Sequence, residues 1–144
     1  MSGPILTRAD TLTQIQKQPQ LYSDVLDDFS PHPITGDIAI IKNESDIKQA
    51  LKNLIFTNLG ERFFQPNVGS IISRMLFDVN DSTTAGDVQH YITQTIQNYE
   101  PRVQLISVNA VPTPDTNSFS VTIQFLIINT NTLQTLQFIL QRVR

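Results

Sequence analysis

Hydrophobic positions in this chain follow two rhythms, helical through the middle and strand-like toward the end. Ile47, Ala50, Leu51, Leu54 and Ile55 recur at the spacing of one helix face. Asn43 stands before them as an N-cap, and Glu44 and Asp46 fall in the first turn, where the helix dipole favours acids. Gly60 sits where a left-handed C-cap is expected. Ile71, Ile72, Met75 and Leu76 predict a short second helix ended by Phe77 and Asp78. Ala85, Val88, Ile92, Ile96 and Tyr99 mark the stripe of a third, opening near Thr83 or Thr84 with Asp87 completing a capping arrangement. Pro101 closes it, because the residue before a proline is pushed out of the α region.

Beyond Pro101 the period becomes two. Residues 103–111 read as a strand, and residues 112–117 as a turn-rich connection. Phe119, Val121, Ile123, Phe125 and Ile127 then alternate with Ser, Thr and Gln, the clearest strand signal in the chain. Asn129 to Asn131 form a turn, and Leu136, Phe138 and Leu140 alternate through a last strand. A shorter strand is expected over residues 37–41, after the turn at Gly36. The order predicts an α+β fold: a short N-terminal strand, two to three helices, then an antiparallel three-strand β meander with a single layer of helices on the sheet. Residues 1–34 are polar, are broken by Pro4, Pro19, Pro31 and Pro33, and show no sustained period. They read as an extended arm that orders only against something else, leaving 35–144 as a single domain.

Composition narrows the function. The 144 residues suit one modest core. A net charge of −3 argues against a nucleic-acid or anionic-membrane surface. Only 16% of residues are charged, so Asn, Gln and Thr supply much of the polar surface, which suits packing against other proteins. Without cysteine there is no disulfide or thiolate chemistry, and no signal peptide or membrane-length apolar run is present, so folding in a cytoplasm is expected.

Candidate chemistry is sparse. His32 lies between two prolines and His90 on the polar face of the third helix, neither with a ligand at metal-binding spacing. The five glycines are scattered singly, which rules out a phosphate-binding loop. Glu61, Glu100 and Asp78 or Asp81 are the available acids for a glycosidase pair. Each has a simpler role in a turn or helix end, and the chain has no Trp to platform a sugar. No cofactor and no catalytic residue is expected. Glu100-Pro101-Arg102 stands apart: a carboxylate at the negative end of a helix needs a compensating cation, and proline stiffens the corner. The rigid pair suits docking of a partner. It equally suits internal pinning, with Glu100 bound to Arg102 or Arg62.

At these residues the chain resembles the T-even-type baseplate wedge proteins and their relatives in other contractile injection machines. The resemblance runs from Leu21-Tyr22-Ser23-Asp24, through Thr57, Gly60-Glu61-Arg62, Pro66, Gly69 and Leu76-Phe77, to Asn98-Tyr99-Glu100-Pro101-Arg102. It covers residue 21 to the C-terminus, and the first 20 residues have no counterpart. It implies a structural subunit of a virion tail, assembled in the host cytoplasm. Glu100, Pro101 and Arg102 would engage the core bundle of larger wedge proteins, supported by Glu61 and Arg62. The last strand, with Leu136, Phe138 and Leu140, would receive extended arms of the tail sheath protein by strand addition. Central hub or tube-initiating proteins are further implied partners, with neither nucleic acid nor membrane. The family also carries an old lysozyme label, so a peptidoglycan hydrolase at the tail is the alternative from another class. A type VI secretion baseplate subunit would share the same chemistry in a different machine.

Overall fold

The strictly alternating segment becomes the middle of the sheet. In this computed structural model, which describes residues 22–141, β1 spans Ser23–Val25, β2 Ile40–Lys42, α1 Glu44–Phe56, α2 Ile72–Met75 and α3 Ser82–Tyr99. Three long strands follow: β3 Val103–Thr113, β4 Ser118–Ile127 and β5 Thr132–Gln141. They pair antiparallel in the order β3-β4-β5, so the expected α+β meander is present. Phe119, Val121, Ile123, Phe125 and Ile127 all point to one face and are buried. Each large apolar side chain taken from water there contributes about 1.5–3 kcal/mol.

The helices cover that face. Ile47, Leu51 and Ile55 of α1 join Val88, Ile92 and Ile96 of α3 in one core with the inner residues of β4. Gln89 Nε2 donates to the Ala110 carbonyl and ties α3 to β3. Along β3 the alternation slips at Ile106, where the register with β4 jumps between Leu105 and Ser107. The bulge leaves Ile106 on the outside and returns Val108 and Ala110 to the helix side.

Several local details differ from the expected ones, each for a physical reason. Asp81, not Thr83 or Thr84, caps α3, accepting from the Thr84 N–H at 2.8 Å; a carboxylate accepts more strongly than a hydroxyl at that end. Asn43 is the N-cap residue of α1 but makes no side-chain cap; its Oδ1 accepts instead from the Tyr22 N–H. Helix α1 ends at Phe56, so Gly60 is three residues past the C-cap Thr57 and serves the following loop. Tyr99, expected in the buried stripe, is 37% exposed, and its hydroxyl donates to the Asn67 carbonyl. Within the expected arm, Ser23–Val25 pairs with Ile40–Lys42 as a two-stranded sheet. The first 21 residues of that arm lie outside the described residues.

Candidate functional site

Four stretches distant in sequence meet at the end of α3. Pro101 stops the helix, and the Glu100 N–H still closes on the Ile96 carbonyl at 2.9 Å. The chain turns into β3 two residues later, which folds the Arg102 side chain back onto its own neighbour. Arg102 Nε and Nη2 donate to Glu100 Oε1 and Oε2 at 2.6 and 2.8 Å, a bidentate fork on one carboxylate. Nη1 lies 3.6 Å from Asp46 Oδ2, in the first turn of α1. The guanidinium also stands 5.5 Å from the centre of the Tyr22 ring. The Tyr22 hydroxyl is held by the Asn129 amide, in the turn between β4 and β5. The Arg102 carbonyl accepts from the Ile128 N–H at 3.1 Å, locking the corner to the same turn.

Charge at this corner is mostly withdrawn from water. Glu100 is 7% exposed and Asp46 2%, whereas about a third of the Arg102 side chain reaches solvent. The hydrogen bonds to Glu100 hold Arg102 above the usual guanidinium value, ahead of the opposing effect of burial. Burial pushes the Asp46 carboxyl up; Arg102 pulls it back in part, and the neighbouring Asp24 and Glu100 add to the rise. The folded protein therefore holds the Asp46 proton more tightly than the unfolded chain. Stability from this group is present at low pH and is lost as pH rises through the folded value. Asp46→Asn removes the penalty. The variant is expected to melt about 1–3 °C above the parent near pH 7, with the gap closing near pH 4, read by thermal denaturation across pH.

The other candidate residues are placed differently. Glu61 Oε2 accepts from the Asn58 N–H at 2.8 Å and so braces the loop after α1. Arg62 is exposed and does not pair with Glu100; both line an open recess of about 450 Å³, together with Asp24, Asn53, Gln65 and Asn98. On β5, Leu140 is buried and Leu136 and Phe138 pack against the core, with the Phe138 ring 5.6 Å from that of Phe56. These side chains serve the core. What β5 offers outward is a main-chain edge with no partner strand among the described residues, and the exposed Leu133, Thr135, Gln137 and Ile139. Sequence reasoning missed Asp46 and Tyr22 as members of the corner. Asp46 carried a signal, as an acid on the buried stripe side of α1 next to Ile47. Among the described residues no cluster suited to a metal ion is present, and no helix is long and apolar enough to cross a membrane.

Comparison with known proteins identifies the frame in which this corner sits. The family model for baseplate wedge protein gp25 matches residues 42–132. The baseplate wedge protein gp25 of Enterobacteria phage T4 is 33% identical over 110 residues, covering 76% of this chain and 83% of that protein. A crystal structure described as a tail lysozyme from Geobacter sulfurreducens is 27% identical with a TM-score of 0.64, over 70% of this chain and 92% of that one. A chain in the baseplate complex of a type VI secretion system shares the fold, at 14% identity and a TM-score of 0.57, over 68% of this chain and 92% of that one. With a family match across the helices, the corner and most of the meander, this chain belongs to the baseplate wedge protein gp25 family.

Proposed function

We infer that this chain is a non-catalytic scaffold of a contractile phage tail, in which residues 35–144 act as the wedge domain. It joins larger wedge proteins at the Glu100-Pro101-Arg102 corner and starts the sheath at the free edge of β5. The observation that carries this reading is the edge itself. Strand β5 is ten residues long, contains no charged residue, and among the described residues pairs with β4 on one side only. An open edge of that length is a liability for a free protein unless a partner strand covers it. Strand addition would use the backbone for affinity and the alternate outward side chains for register. The corner complements it. Exposed Pro101 and the solvent-facing third of Arg102 form a stiff knuckle held by buried carboxylates, which costs little ordering on docking.

The same geometry speaks against a hydrolase. Both oxygens of Glu100 are occupied by Arg102, so it has no free oxygen with which to act as general acid, and Glu61 lies in a loop where one of its oxygens braces the backbone.

Co-expression with the neighbouring tail genes tests the assignment. The tagged wild type is expected to recover both large wedge proteins and the sheath protein. Thr135→Lys with Gln137→Lys, on exposed positions of β5, is expected to lower sheath recovery at least about tenfold while the wedge partners stay bound. Undiminished sheath recovery by that variant would remove the role of the edge. Turnover of peptidoglycan by the purified wild type would overturn the scaffold reading.

A further inference from the structure

The loop between α1 and α2 carries at its tip two phenylalanines that stand almost wholly in solvent. Phe63 is 98% exposed and Phe64 99%. They are the central residues of a turn closed by the Gln65 N–H on the Arg62 carbonyl at 3.3 Å. Such positions normally carry Gly, Pro, Asn or Asp, whose turn preferences stabilise the chain locally. Two adjacent phenyl rings in water forfeit the burial free energy that the same side chains would gain in a core.

The loop is not a loose tail that happens to expose them. The Gly60 N–H donates to the Pro66 carbonyl at 2.8 Å and the Ser70 N–H to the Thr57 carbonyl at 2.8 Å, closing the loop at two levels. Glu61 braces its start, Tyr99 holds Asn67 from the end of α3, and the Ser70 hydroxyl donates to the Ile55 carbonyl. The rings are presented on a prearranged support, so docking them orders little additional chain.

The charge beside them identifies the partner chemistry. Glu61 is engaged with the backbone, whereas among the described residues the Arg62 guanidinium makes no ion pair or side-chain hydrogen bond, and it faces the polar recess at the foot of the turn. The acids in that recess are already engaged, Glu100 by Arg102 and Asp24 by the Val25 N–H. The cation is left for an incoming carboxylate. We propose that Arg62, Phe63 and Phe64 form a docking knob for another tail protein. The complementary site is an apolar pocket wide enough for two adjacent phenyl rings, with an aspartate or glutamate at its rim. A membrane surface fits less well, because the chain is net acidic and the knob brings one cation only. This contact is separate from the β5 edge and the corner, although it rests on the baseplate reading for the identity of its host.

The test uses the full chain co-expressed with its neighbouring tail genes. Phe63→Ser with Phe64→Ser is expected to melt like wild type, because the removed rings are almost fully exposed, and to lose recovery of one tail protein at least about thirtyfold. Arg62→Glu should weaken the same contact and leave the sheath bound. A benzophenone amino acid at position 64 is expected to crosslink, on illumination, to an apolar pocket bordered by an acid in that protein. The proposal is overturned if the double serine variant retains every partner while Thr135→Lys with Gln137→Lys still releases the sheath. A crosslink between two copies of this chain also overturns it. So does phenylalanine-dependent binding to vesicles of phosphatidylethanolamine and phosphatidylglycerol. If the wild type recovers no tail protein at all, the baseplate reading itself fails and this contact fails with it.

Discussion

Arg102→Ala is expected to destabilise the fold by about 3 kcal/mol, near the lower end for breaking a buried charge cluster. The reason is what it leaves behind. Glu100 and Asp46 are both buried, and Arg102 is the cation that faces each of them. Without it, two carboxylates stand close together in a poorly solvated corner and the Tyr22 ring loses its cation. About a third of the arginine reaches water, which softens the loss, because solvent screens part of the original attraction. Acid should rescue the variant in part: protonating the buried Asp46 removes uncompensated charge, so the gap to wild type narrows as pH falls. Chemical denaturation at several pH values reads this directly. A variant as stable as wild type at neutral pH would mean that the cluster contributes nothing to folding. Partner loss seen with this substitution must therefore be read at a temperature where the variant is folded. Arg102→Lys is the gentler companion: it keeps the charge and loses the fork.

Gly69→Ala should do comparable damage, about 3–5 kcal/mol, by an unrelated route. Gly69 has φ +146°, a conformation that side-chain-bearing residues rarely adopt. A Cβ there would lie 2.8 Å from the Thr57 carbonyl oxygen and 2.9 Å from the carbonyl carbon and oxygen of Asn58. Those atoms are backbone, anchored by the Ser70 N–H on the Thr57 carbonyl, so relief requires the loop to leave its helix. The melting temperature is expected to fall by about 10 °C. Gly60 offers an internal control. Its φ is +84°, but a Cβ there meets nothing within 4 Å, so Gly60→Ala carries only the conformational strain and should cost about 1–2 kcal/mol. Equal effects at the two glycines would show that contact with the Thr57–Asn58 backbone is not what fixes Gly69. The same pair of variants bears on docking, because a loop detached from α1 no longer holds Phe63 and Phe64 in place.

Much of the architecture was already written in local pattern. The alternation from Phe119 to Ile127 determined a strand and which of its faces would be buried, because side chains in a strand have a period of two. The spacing of Ile47, Leu51, Leu54 and Ile55 determined a helix and its inner face, and Pro101 determined where the long helix stops. Of the site, the Glu100-Pro101-Arg102 corner was legible, because its three residues are adjacent and its chemistry is a near-neighbour affair. Whether Glu100 would pair within the corner or with Arg62 was not. That depended on where the loop after α1 lies, and it places Arg62 in the recess without reaching the carboxylate.

Only the tertiary structure could decide contacts between residues far apart in the chain. Asp46 meets Arg102 because α1 packs beside the end of α3, and Tyr22 joins them because β1 leads into the same corner. Gly69 is required because the loop folds back on Thr57 and Asn58, which no spacing announces. Leu136, Phe138 and Leu140 face inward while the β5 edge stays open, since a strand's pattern specifies its faces but not which neighbour lies along each edge. For Phe63 and Phe64 the local signal pointed the other way, because apolar side chains usually find a core. Their exposure follows from a loop whose hydrogen bonds hold it closed and turn its tip toward solvent.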